Sequence, residues 1–264
     1  MSAHAPSMEE LRERRAFECR LTPDRALQSL DEAEEFLLDR GLLTRMTDCA
    51  LPSLFEACHE EPYAPDKPGF GQWPRTKFPW FGELGARGHP IVSVHRGKNL
   101  VVAPEVVGLV DPICRAELER LANDLLLRHL AEAGPSELED LQLELGLKPK
   151  ELKALRSPLE RCGAVVSRSI VYEDPHRHTS ELRRWDQLVA EPLKGGGLPE
   201  LVVAGVRAAV LAPEGEVSSW FSWRWYWDDE LVERLVDEGR LIRPEDGWLA
   251  VETPARRVRV GPAP

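Results

Sequence analysis

An α+β fold built from small repeated units is predicted by three features of this 264-residue sequence. Amphipathic helical runs close on glycine, short β-rich runs are joined by tight turns, and this order returns along the chain. From Leu27 to Leu43 apolar residues fall at helical spacing, with Gly41 placed as a left-handed cap. Ala50–Cys58 predicts a second short helix, with Pro52 in its first turn. Residues 61–72 are too rich in proline and glycine for regular structure, and Phe78–Gly85 fits a helix of about two turns. Pro90–His95 and Asn99–Ala103 read as strands joined at Arg96-Gly97-Lys98. Helix, helix, loop, helix, hairpin is the order of a winged helix, the helix-turn-helix variant with a β-hairpin wing.

Two further copies follow. Arg115–Ala133 predicts a long amphipathic helix closed by Gly134. Ser136 with Glu139 suggests a capping box for the next helix. Lys148–Cys162 predicts a third, with Pro149 suited to its first turn. AVVSRSIVYE after Gly163 supplies a β run. Leu198–Val210 and Asp228–Glu238 predict helices of a third unit, and Leu241–Arg243 with Trp248–Val251 flank a turn at Pro244–Gly247. The expected division is a polar N-terminal segment (1–22), a first winged helix (23–112), a second with its following loop (113–192), and a third winged-helix-like unit with a short tail (193–264). The copies share pattern and not identity.

A net charge of −11 argues against coating nucleic acid through overall charge. It leaves room for a focused site. No apolar run approaches the length of a membrane span, so no membrane partner is expected. The N-terminus MSAHAPSMEELRERR lacks the apolar core of a signal peptide, and five scattered cysteines without a C-x-x-C pair fit reduced thiols; a cytoplasmic location is the expectation. Cys58-His59 has no second pair to complete a zinc site, so neither metal nor cofactor is expected.

The sign of charge reverses locally. From Lys67 to Lys98 there are six Lys/Arg against the single acid Glu83. Trp73, Arg75, Lys77, Phe78, Trp80 and Phe81 combine cations that can hold phosphates with rings that can stack on bases. The competing reading puts the rings in the core with the cations around them. His95, Arg96 and Lys98 occupy the hairpin tip, where a wing would lie beside a DNA backbone. The expected DNA-binding residues are therefore Trp73, Arg75, Lys77, Trp80, His95, Arg96 and Lys98. His176 and His178, beside Asp174, lack an obvious third metal ligand and read as a polar loop after the second wing. Trp220–Trp227 holds six aromatics in eight positions, a candidate interface within the chain or for a protein partner. No G-x-S-x-G, H-E-x-x-H, Walker or G-x-G-x-x-G motif is present.

GLLTRMTDCALPSLFEACHEEPY at 41–63 and HRGKNLVVAP at 95–104, set among tandem winged-helix patterns, resemble the AlkZ/YcaQ superfamily of DNA glycosylases. WPRTKFPW at 73–80 and EDPHRHTSELRRWD at 173–186 add to the resemblance, which covers about residues 24–252. It implies tandem winged helices and a role in repair of alkylated DNA. The family carries a glutamine, a hydrophobic residue and then Gln or Asp at the end of an early helix. Here the corresponding residues are Arg45-Met46-Thr47-Asp48, so an acid is kept without the glutamine. DNA binding thus carries over better than bond cleavage. The sequence points first to a tandem winged-helix protein that binds DNA, with damaged duplex as one substrate. A divergent glycosylase using Asp48 or another acid, and an interaction module docking through 220–227, are the alternatives.

Overall fold

The structure, a computed structural model, describes residues 6–174 and 177–252. It is mixed α and β, with small antiparallel sheets. A first helix, α1 (Met8–Glu18), starts in a capping box between Ser7 and Glu10 and buries Leu11. The polar 1–22 segment is thus anchored from residue 7. Arg15 donates to the carbonyls of Ala50 and Ala209, both at 2.7 Å, so the segment ties distant parts of the chain together.

Next come α2 (Leu30–Arg40), β1 (Leu42–Thr44), α3 (Leu54–Ala57), α4 (Trp80–Ala86), β2 (Ile91–His95) and β3 (Lys98–Val102). The strands form an antiparallel sheet in the order β1-β3-β2. Ser29 accepts from the Glu32 amide to start α2, and Gly41 ends it at φ +83°. The predicted helix over 27–43 is therefore shorter at both ends, and Leu42 and Leu43 belong to a strand. Similarly, α3 begins only at Leu54, where Ser53 accepts from Glu56 N–H. At the hairpin tip Arg96 and Gly97 both take positive φ, 52° and 73°, the primed turn that matches the twist of paired strands.

The second stretch comprises α5 (Pro104–Arg120), α6 (Leu125–Ala133), β4 (Ser136–Glu137), α7 (Leu138–Leu145), α8 (Pro149–Arg161), β5 (Val165–Tyr172), β6 (Arg177–Arg184) and α9 (Trp185–Leu188). Its sheet order is β4-β6-β5. Three sequence expectations fail here. The helix drawn over 115–133 is two helices, because Asp124 accepts from the amides of Leu126 and Leu127 and starts a new one. Ser136 lies in β4 and donates to the Gly134 carbonyl, while Glu139 accepts from the Thr179 hydroxyl; there is no capping box. Residues 177–184 are not a loop but the return strand, paired from Val165↔Arg184 to Tyr172↔Arg177. His178 lies on that strand; His176 falls outside the described residues.

The third stretch contains α10 (Leu198–Ala209), β7 (Leu211–Pro213), α11 (Glu214–Val217), α12 (Leu231–Asp237) and β8 (Trp248–Ala250). β7 pairs with β8, and Ile242 bridges Ala250 on its other side. The first two stretches thus run helix, strand, helix, helix, strand, strand, with the first strand paired to the last; the third runs helix, strand, helix, helix, strand, with Ile242 as a single bridging residue before β8.

One apolar core joins them, taking in Val94 and Val110, then Leu127 and Val165, then Leu201 and Leu249. Segment 220–223 is the wedge between units. Trp220 and Trp223 are almost fully buried. Ser222 N–H donates to Val94 O at 2.8 Å, and Trp223 Nε1 donates to Cys162 O at 2.9 Å. On α5, the buried Asp111 does the same work with charge. It accepts from Arg115 Nε at 3.0 Å, Trp185 Nε1 at 2.6 Å and the Leu193 amide at 2.8 Å. Asp111→Ala strands these donors in the interior and is expected to cost about 3–5 kcal/mol, read as a lower urea midpoint. Asp111→Asn, which keeps acceptors in place, recovers part of the loss.

Candidate nucleic-acid interface

Most of the cations in the island at 67–98 are spent inside the protein. Lys77 Nζ donates to Leu27 O at 2.7 Å and to Cys58 O at 3.3 Å. Arg87 pairs with Asp31 and Glu34. Arg96 donates to the Ser219 carbonyl and hydroxyl and to Asp48 O, and Lys98 Nζ lies 2.5 Å from Asp48 Oδ2. Glu60 sits within the island, accepting from the Thr76 and Lys77 amides. Lys67 and Arg75 are the island cations that stay exposed and without an ion pair among the described residues. Trp73 and Trp80 are half-buried against the small core around Phe36, Phe55 and Phe81. His95 is 1% exposed.

What gathers at the β2–β3 hairpin is a pocket. About 300 Å³ in volume, it is lined by Thr44, Arg45, Asp48, Trp73, His95 and Lys98 among others. The Arg45 guanidinium lies 4.8 Å from the Trp73 ring centre and 4.6 Å from that of Phe81. His95 holds the floor, with Nδ1 2.7 Å from Trp220 O and Nε2 2.9 Å from Asp48 Oδ1. Burial pushes the Asp48 carboxyl up, but hydrogen bonds from Lys98 and His95 outweigh it and leave the group below its ordinary value. Burial, the largest cause, pushes the neighbouring Cys49 thiol up to about 12, and the Asp48 and Glu216 carboxylates act in the same direction. A larger, mainly apolar cavity of about 520 Å³ opens between α4 and β5, against Gly85, Ile91, Val166 and Ile170. Its wall also carries His89, Arg168 and Arg183, whereas the smaller pocket brings carboxylate, imidazole and ammonium groups together at Asp48, His95 and Lys98.

The basic surface lies elsewhere. On α8, Lys150, Lys153 and Arg161 are exposed and have no ion pair among the described residues. With Ser157 they follow i, i+3, i+7, i+11 spacing, a single face opposite Leu152, Leu155 and Leu159, which point to the core. Lys148, just before the helix, is also exposed. From 148 to 184 the chain carries nine Lys/Arg against five Asp/Glu. The β2–β3 hairpin meets the end of this face, since a Cβ on Gly97 would lie 2.9 Å from Arg161 Nε. The sequence signal for α8 is the lysine spacing within a predicted helix, which Glu151 and Glu160 mask by diluting the local charge.

In the Trp-rich segment, Trp220, Phe221 and Trp223 are buried, while Trp225 and Tyr226 stay exposed. The segment is not extended, and residues 224–226 form a 3₁₀ turn. The polar ends of its exposed rings turn inward: Trp225 Nε1 and Tyr226 Oη donate to Glu117 Oε1 at 3.0 and 2.9 Å. No family model, curated protein or solved structure matches the chain.

Glu117 links this segment to pH. Burial pushes its carboxyl up, but hydrogen bonds from Arg120, Tyr226 and Trp225 outweigh it and hold the group below its ordinary value of 4.5. A carboxyl depressed on folding stabilises the fold above its unfolded pKa, and that contribution is lost as pH falls through the folded pKa. Glu117→Gln should cost about 1–3 kcal/mol at pH 7. Its stability should also fall less steeply than wild type as pH drops below 4.5, seen in urea unfolding at a series of pH values.

Proposed function

We propose that the chain is a tandem winged-helix protein that binds duplex DNA, with α8 as the helix laid in the major groove. The observation that carries this reading is the stripe Lys150, Lys153, Arg161, exposed and without acidic partners on a molecule of net charge −11. Its position supports the same reading. α8 is the third helix of a helix–strand–helix–helix–hairpin unit, the one that enters the groove in three-helix helix-turn-helix variants. The major groove of B-DNA admits an α-helix, whereas that of duplex RNA is too narrow for side chains to read.

This moves the interface from the first wing to the second unit. Arg96 and Lys98 contribute less than the charge pattern suggests, because their donors are occupied by Ser219 and Asp48. The resemblance to DNA glycosylases supports DNA as partner. Removal of a base is not part of the proposal: the glutamine that the resemblance implies is replaced here, and Asp48 is held by His95 and Lys98. Contacts to phosphates by few cations give modest, steeply salt-dependent binding, and the remaining negative charge opposes approach.

The test is titration of a labelled duplex at several salt concentrations. Lys150→Ala/Lys153→Ala/Arg161→Ala should weaken binding to all duplex sequences and reduce the slope of log K against log salt by about 2–3. Arg75→Ala/Arg96→Ala/Lys98→Ala should have the smaller effect. Unchanged binding by the α8 variant, or no binding by wild type at low salt, would overturn the proposal.

A further inference from the structure

Nucleic-acid binding on α8 leaves the buried cluster at the first wing without a role. The fold brings Asp48 and Cys49, between β1 and α3, against His95 at the end of β2. His95 Nδ1 stands 2.7 Å from the Trp220 carbonyl, an oxygen that can only accept, so Nδ1 carries a hydrogen. Its Nε2 is then aimed at Asp48 Oδ1, 2.9 Å away, and at Cys49 Sγ, 3.9 Å away. A nitrogen and a carboxylate oxygen this close need something positive between them, either a proton or a metal ion. An imidazole whose far N–H is fixed by a backbone carbonyl is oriented as metal-ligating histidines are.

We propose that Asp48 Oδ1, Cys49 Sγ and His95 Nε2 form a binding site for a zinc-class divalent ion. The three donor atoms lie within 4.8 Å of one another. A tetrahedral zinc ion with nitrogen and oxygen at about 2.0–2.2 Å and sulfur at about 2.3 Å separates its ligand atoms by about 3.3–3.6 Å, so side-chain adjustment is enough. Thiolate with imidazole selects zinc or cobalt over magnesium or calcium. The fourth position faces the pocket lined by Thr44, Arg45 and Asn99, where water completes the shell. On binding, the Cys49 thiol proton and the proton shared by His95 and Asp48 leave to solvent, and the ion takes their place.

Lys98 is the competitor. Its ammonium holds Asp48 Oδ2 at 2.5 Å, yet the side chain is 60% exposed and can swing into solvent. Arg96 is already committed to Ser219 and the Asp48 carbonyl. Removing the Lys98 charge should therefore tighten metal binding, an effect that a purely structural ion-pair network does not produce.

The full chain, stripped with chelator, is titrated with Co²⁺ and then Zn²⁺. Expected are one equivalent of bound cobalt, a thiolate-to-cobalt charge-transfer band with tetrahedral d–d absorption, and displacement of both by zinc. Lys98→Met should tighten cobalt binding about tenfold. Cys49→Ser should abolish the charge-transfer band, and Asp48→Asn, which leaves the thiol in place, should weaken affinity at least about tenfold; circular dichroism checks that both variants are folded. Failure of wild type and Lys98→Met alike to bind cobalt overturns the site, as does an unchanged spectrum in Cys49→Ser. The α8 triple variant should bind cobalt as wild type does, so this result is independent of DNA binding.

Discussion

Trp220 and Trp223 are the constraint on which the arrangement of this protein depends. Both rings are interior, and the backbone between them hydrogen-bonds to Val94 at the edge of the first sheet. The Trp223 indole reaches Cys162 at the end of α8, while the Trp220 carbonyl takes the His95 ring. Trp220 also lies against Gly205 of α10, where a Cβ would sit 2.9 Å from its ring. A segment of four residues therefore contacts all three repeated units. Large rings buried this way supply much of the apolar energy that holds small units together. Trp223 adds direction by donating Nε1 to Cys162 O, and the Trp220 carbonyl accepts from His95, whereas Trp220 Nε1 is buried without a hydrogen-bond partner among the described residues.

That packing decides which charges are available. By bringing Ser219 and the wing tip together, the wedge consumes Arg96. By bringing Asp48 under His95, it occupies Lys98. On α8, Lys150, Lys153 and Arg161, the last beside Gly97 at the edge of this junction, have no ion pair among the described residues. Local charge density along a chain is therefore a poor guide to surface potential when loops fold back on one another. The most basic stretch by count is largely neutralised by acids and carbonyls from elsewhere. A helix diluted by glutamates presents the cleaner positive face, since the glutamates lie to its sides.

The elements that were legible in the sequence are those set by interactions within a few residues. Gly41 ending α2, Pro149 opening α8 and the Arg96-Gly97 turn each follow from backbone preferences of the residues themselves. The elements that were missed are short or held from outside. β1 and β4 are three and two residues long, too short for alternation to register, and they exist because β3 and β6 pair with them. α5 begins at Pro104, a position where the missing N–H costs no helical bond, and runs through Pro112, where burial of Val106, Val110 and Cys114 overrides the lost hydrogen bond. In the candidate site, Trp73, Lys77, His95 and Lys98 were picked out by type. Their partners, Leu27, Asp48 and Trp220, lie too far along the chain for spacing to show.

The sequence by itself determined the α+β class, the negative net charge and the apolar stripe of α8. These depend on local hydrogen bonding and on periodicity, which are written in consecutive residues. The tertiary structure alone decided that His95 is buried between Asp48 and Trp220, that Arg96 and Lys98 on the β2–β3 hairpin are partnered, and that Lys150, Lys153 and Arg161 have no ion pair among the described residues. The reason is physical. The availability of a charge is a property of everything packed against it, and the groups that settle it here come from 46 to more than 120 residues away.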